Sequence, residues 1–220
     1  MREGQPFLRF DWIVENLDVL ARRIGEHVLV TAIAVIVGLA LSFALAILIR
    51  RNPRLYAPIL AISGVLYAIP SIALFVLLIP ITGLSLLTAE IALISYTLVI
   101  LVRNIVTGLR SVPPDVIEAA NGMGYTSGQR LWRVELPLAL PIIVAGLRIA
   151  TVTTIGLVTI ATLIGSGGLG YLIVNIGINQ RFPTATLVGV LLVVALSAVV
   201  DWGLLAWQRR LTPWARAREG

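Results

Sequence analysis

Few residues in this sequence have the types and spacing that carry chemistry. The run Gly165-Ser166-Gly167-Gly168-Leu169-Gly170 fits the pattern G-x-G-x-x-G. As a dinucleotide fingerprint it would need a preceding strand to set the turn and an acidic residue about 20 positions later to hold the ribose. Here an apolar block precedes it and the next acid is Asp201. His27 is the single histidine and cannot build a metal centre alone, so it reads as an interfacial residue at the start of an apolar block. Cysteine is absent, which excludes disulfides and thiolate metal sites. No Ser/His/Asp set and no phosphate loop ending in Gly-Lys-Ser/Thr exists, and lysine does not occur. The chain is therefore expected to be no enzyme, with no metal and no cofactor bound by itself.

The composition says where such a chain resides. It is 58% hydrophobic and 13% charged, with a mean hydropathy of +0.97, against about 25% charged in soluble domains. Its apolar residues come in blocks of about 20, the length that crosses a hydrocarbon core of about 30 Å. The fold expected is all-α: a polytopic membrane bundle of about five transmembrane helices. The 17 arginines give a net charge of +6. They flank apolar blocks rather than line one face, so they read as topology signals and not as a nucleic-acid surface.

Three regions follow along the chain. Residues 1–25 have no apolar run and are neither a signal peptide nor a span, but Ile13, Leu17, Leu20 and Ile24 recur at helical spacing, as in an amphipathic helix on the membrane surface. Residues 26–208 form the membrane domain and 209–220 a cytoplasmic tail. The spans are expected over about 28–49, 56–79, 90–109, 138–164 and 184–205. In the first, Ala34, Gly38, Ser42 and Ala46 lie four apart, either a face for close helix approach or generic small residues. Pro70 should kink or break the second. Arg103 lies within the third, where a charge needs a partner, a cavity or the headgroups. The run 165–170 breaks the backbone after the fourth span, either part of an outer gate or a plain turn. Threonines 151, 153, 154, 159 and 162 either bond back to their own helix or line a pathway. Tyr67 and Tyr96 stand equally open. One side of the membrane collects twelve arginines and the other five, or ten against five without Arg103 and Arg148. The positive-inside rule then places the N-terminus outside and the C-terminus and the long polar loop in the cytoplasm.

That loop, residues 110–137, carries the strongest pattern. Pro114 suits a first helical turn and Asp115 and Glu118 favour its positive end. The helix should stop near Gly122 and Gly124. Thr126 with Gln129 matches a capping box, opening a second short helix that should end at Pro137. Small residues let the first helix sit deep in a partner's groove; the alternative is a loop that merely joins two spans.

The spacing Glu118-Ala119-Ala120, three residues, Gly124, nine residues, Val134, one residue, Leu136-Pro137 resembles the EAA loop of ABC importer permeases, with Val134 where isoleucine is commoner. Residues Ile69 to Leu74, Ile79-Pro80, Leu101 to Asn104 and Ile164 to Gly170 look like permeases of osmoprotectant importers, for glycine betaine, carnitine or choline. Methionine and phosphonate importer permeases share parts of these motifs. The resemblance implies a type I ABC importer permease core in a bacterial or archaeal cytoplasmic (inner) membrane. It also implies coupling through Glu118, Ala119, Ala120, Gly122, Gly124, Leu136 and Pro137 to two copies of an ATPase subunit that holds ATP-Mg. An extracytoplasmic substrate-binding protein and a second permease, identical or paralogous, would complete the assembly among membrane lipid, with no nucleic acid. Pathway or gate candidates are Tyr67, Pro70, Ser71, Tyr96, Arg103, Asn104, Gly165, Gly167 and Gly168. A self-sufficient secondary transporter or channel would need intramembrane acids, and Glu90 and Asp201 are both expected close to a span end. A membrane scaffold with a vestigial loop is the remaining rival.

Overall fold

The computed structural model describes residues 8–212, and all regular structure among them is helical. Residues 1–7 and 213–220, with Arg2, Arg216 and Arg218, lie outside the described residues. The helices are α1 (Phe10–Glu15), α2 (Leu17–Arg51), α3 (Tyr56–Ala68), α4 (Ser71–Thr82), α5 (Leu86–Arg110), α6 (Pro114–Gly122), α7 (Ser127–Arg130), α8 (Leu136–Ala161) and α9 (Pro183–Leu211). Four stretches are long and apolar enough to cross a membrane, and a fifth crossing results if the bent pair α3 and α4 counts as one span.

The bend between α3 and α4 is 98°. Its cause is local: Pro70 has no N–H to continue the ladder and drives Ile69 to an extended ψ of 128°. The freed carbonyl of Ile69 accepts a hydrogen bond from the Tyr96 hydroxyl at 2.5 Å, so the break is closed by a side chain of α5.

Helix α5 is the centre of the bundle, packed against α2, α3, α4 and α8. The small residues Ala34, Gly38, Ser42 and Ala46 of α2 are all buried, so their stripe is a packing face. A Cβ on Gly38 would overlap Thr97 Oγ1 of α5, and one on Gly146 of α8 would overlap Asn104 Cβ. Two apolar clusters fill the interior. One joins Val30, Phe75, Leu93, Tyr96 and Ile164, with Ile69 against it; the other joins Ile49, Val102, Ile105, Leu131, Leu136 and Ile143. Helix α9 flanks the bundle, with 6% of its most apolar window buried.

Several expectations change. The boundary at residue 25 falls inside α2, which runs unbroken from Leu17. Of the stripe expected to face the membrane surface, Leu20 is buried, and Ile13 and Ile24 pack with it against Leu169 and Leu172; Leu17 stays exposed. His27, read as an interfacial residue, is fully buried within the bundle. Its Nε2 donates to the Ile155 carbonyl at 2.9 Å, and its Nδ1 accepts from the Leu169 N–H at 3.2 Å. The second loop helix does not end at Pro137. A π turn over Leu131–Glu135 carries α7 into α8, with the Leu136 N–H reaching Leu131 one residue further back than in an α-helix. That wider turn accommodates a proline that would break a regular ladder. The last span extends to Leu211, so the first tail residues are helical. Asp201 sits ten residues before that end and is paired with Arg148. Glu90 is near the start of α5 as expected, yet it is buried and neither carboxylate oxygen has a hydrogen-bond partner among the described residues.

Candidate functional site

The loop between α5 and α8 is built from its own caps. Pro114 opens α6. At the other end Gly124 adopts φ +78°, its N–H bonds to Asn121 at 2.9 Å, and the Tyr125 N–H bonds to Ala120 at 3.1 Å. This pair of bonds is a Schellman closure, and the left-handed residue it requires is costly for anything with a Cβ. Two residues on, Thr126 accepts from the Gln129 N–H at 3.3 Å while Gln129 Oε1 accepts from the Thr126 N–H at 2.9 Å, the reciprocal capping box that starts α7.

The seven loop residues marked for coupling divide by burial. Glu118, Ala119, Gly122 and Gly124 are exposed, as is Met123 next to them; Ala120 is buried. Leu136 is buried in the cluster shared by α2, α5 and α8, and Pro137 is half-buried. One surface of α6 is thus free, low in bulk and apolar at its end, while Ala120 and Leu136 seat the loop on the bundle. Trp132 is also 65% exposed, with its ring 6.0 Å from that of Phe43.

An ion network missing from the sequence reading holds this loop. Glu135 is buried, and its carboxylate takes Arg50 Nε at 3.0 Å, Arg50 Nη2 at 2.9 Å and Arg130 Nε at 2.8 Å. Arg130 Nη1 continues to Asn121 Oδ1 at 2.6 Å, and Arg50 reaches Ser127 Oγ at 3.2 Å and Ser127 O at 3.3 Å. In the charge pattern of the sequence Arg50 and Arg130 read only as topology charges. The one sequence signal was an arginine and a glutamate five apart in the loop, a spacing that does not face in an α-helix but does across a π turn.

The pathway candidates fall in three places. Tyr67, Pro70, Ser71 and Tyr96 gather at the bend, where the Tyr67 and Tyr96 rings meet edge to face at 5.6 Å. Gly165, Gly167 and Gly168 have φ of +87°, +77° and +78° and fold over the start of α2. There the Gly168 N–H donates to Glu26 Oε2 at 2.9 Å, and Arg23 Nη1 donates to the same oxygen at 2.8 Å. Ile164, at the head of this turn, shares one apolar cluster with Ile69 and Tyr96. Arg103 and Asn104 lie apart from both, beside the cluster of Val102 and Ile105. Arg103 is exposed and has no partner among the described residues, whereas Asn104 Nδ2 bonds back to the Ile100 carbonyl at 2.8 Å. Thr151 and Thr154 likewise bond back to their own helix, at 2.7 and 2.8 Å.

Comparison with known proteins accords with this geometry. The family described as binding-protein-dependent transport system inner membrane component matches residues 28–213. The chain is 40% identical over 207 residues to the osmoprotectant import permease protein OsmW of Salmonella typhimurium, covering 92% of this chain and 96% of that one. It is 38% identical to the carnitine transport permease protein OpuCB of Listeria monocytogenes, with 94% and 95% covered. In structure it is similar to an inward-facing conformation of the MetNI methionine ABC transporter, with a TM-score of 0.81, 25% identity and coverage of 90% of this chain and 98% of that one. A structure of this architecture and a match of this extent make the chain a member of that family, a membrane component of a binding-protein-dependent transport system.

Proposed function

We propose that this chain is the membrane-spanning permease subunit of an ATP-driven importer for a small osmoprotectant such as glycine betaine, carnitine or choline. The observation that carries the reading is the free, low-bulk face of α6, with Glu118, Ala119, Gly122 and Gly124 exposed on a loop locked by its own caps. Its partner is an ABC ATPase subunit in two copies, which holds the ATP-Mg; α6 inserts into a groove of that subunit and carries its closure to the spans. A binding protein on the outer side delivers the substrate. A second permease, identical or paralogous, completes the pathway, because five crossings enclose a path poorly. The arginine distribution supports a cytoplasmic loop and C-terminus with the N-terminus outside. The relatives named for osmoprotectant and carnitine transport support that substrate class over methionine, for which the likeness is structural at 25% identity.

The test is reconstitution with its ATPase and binding protein, followed by uptake of labelled glycine betaine, carnitine, choline and methionine. ATP-dependent uptake of one or more of the three quaternary amines is expected. Uptake that persists without the ATPase, or methionine uptake alone, would refute the reading.

A further inference from the structure

Glu135 sits where the loop meets the membrane bundle and receives both arginines, so it connects parts of the chain that the fold could have left independent. Arg50 is at the inner end of α2, 85 residues away in sequence; Arg130 ends α7; and Asn121, held by Arg130, is in α6. The Arg50 contact is bidentate, with Nε and Nη2 each taking one carboxylate oxygen, the geometry in which guanidinium and carboxylate fix each other's orientation. Both arginine side chains are about four-fifths buried, at 21% and 22% exposure, and that of Glu135 is 6% exposed, so solvent screens the network little.

We propose that Arg50, Arg130 and Glu135 form a clamp that makes α6 and the inner end of α2 move as one body, so that displacement of the coupling helix reaches the first span directly. The inference rests on the coupling role proposed for α6. Without the clamp, the loop would meet α2 through non-directional apolar contacts alone among the described residues, Leu131 in one cluster with Ile49 and Trp132 facing Phe43. With it, α2 is driven as well, from the end opposite Glu26 and His27, which the glycine turn at 165–170 covers. The π turn at Leu131–Glu135 is what brings Arg130 and Glu135 together, which gives that irregularity a purpose. These three are positioning residues: they touch neither nucleotide nor substrate.

The experiment uses the full complex with its ATPase and binding protein in liposomes, and reads molecules transported per ATP hydrolysed. Glu135→Gln, which keeps the volume and removes the charge, should lower that ratio by about tenfold, the scale of a coupling between sites. Glu135→Asp should recover part of it. Should Glu135→Gln not assemble, Asn121→Ala and Ser127→Ala, at exposed positions, remove outer arms of the clamp and should each lower the ratio by a smaller factor. A second readout is independent of activity. Spin labels at Leu48→Cys and Asp115→Cys, both exposed and outside the docking face in a chain without cysteine, should keep one distance with and without ATP, and lose that constancy in Glu135→Gln. Variants that transport at the unaltered ratio, or a label distance that changes with ATP in the unmutated clamp, would overturn the proposal. Absence of any ATP-dependent uptake by the unmutated complex would instead refute the importer reading beneath it.

Discussion

Arg148 and Asp201 face each other across α8 and α9 in a bidentate pair, Nε to Oδ1 and Nη2 to Oδ2, each at 2.8 Å. Helix α9 also packs along α8 and on the turn at Leu172–Ile178. Gln208 Nε2 donates to the Pro141 carbonyl at 3.1 Å near its C-terminal end, and Gly189 packs on Leu172 and Ile173 near its N-terminal end. An arginine and an aspartate inside apolar spans are costly apart and tolerated together.

Asp201→Asn should therefore loosen α9 more than the loss of both charges does. Protease access to the α8–α9 region of the purified protein, and its thermal midpoint in detergent, should show Asp201→Asn less stable than the double variant Arg148→Leu with Asp201→Leu, since the double change leaves no lone charge. Equal midpoints for the two variants would contradict a pairing role.

Gly38 and Gly146 let α2 and α8 approach α5 at Thr97 and Asn104. Gly38→Leu and Gly146→Leu should each cost about 1–3 kcal/mol by overpacking, seen as lower thermal midpoints and poor recovery from the membrane. Gly156→Ala, with nothing within 4 Å of its Cβ position, should leave both measurements unchanged.

The buried His27 serves two backbone groups 128 and 142 residues away, the Ile155 carbonyl and the Leu169 N–H. His27→Ala should leave both unpaired, at about 1–3 kcal/mol each, and open the glycine turn. Hydrogen exchange at residues 165–170 should accelerate in His27→Ala and less so in His27→Gln, whose amide can replace one of the two bonds. Unaltered exchange in His27→Ala would show the turn to be held by Glu26 alone.

What could be read from the sequence was what depends on neighbours along the chain. The stop at Gly124, the capping box of Thr126 and Gln129 and the break at Pro70 are each decided within about one helical turn, and each stands in the structure. The small-residue stripe of α2 was legible as a face though not as the partner of Thr97. The pairs Arg50 with Glu135, Arg148 with Asp201 and His27 with Leu169 were not legible, because they join residues 85, 53 and 142 apart. Such pairs depend on helix crossings and on a 98° bend that no local pattern encodes. Two of the arginines that flank apolar blocks also close an ion network, which their position in the sequence does not reveal. The expected stop at Pro137 failed for a local reason of another kind: a proline near a helix start can be absorbed by a wider turn before it.

The docking face of α6 can be measured directly, because the sequence has no cysteine. A benzophenone maleimide on Ala119→Cys in the purified complex with the ATPase should give a covalent permease–ATPase product on illumination, while the same reagent on Ile72→Cys, exposed on α4, should give none. A complex that co-purifies yet yields no adduct from Ala119→Cys, or yields it equally from Ile72→Cys, would contradict the account.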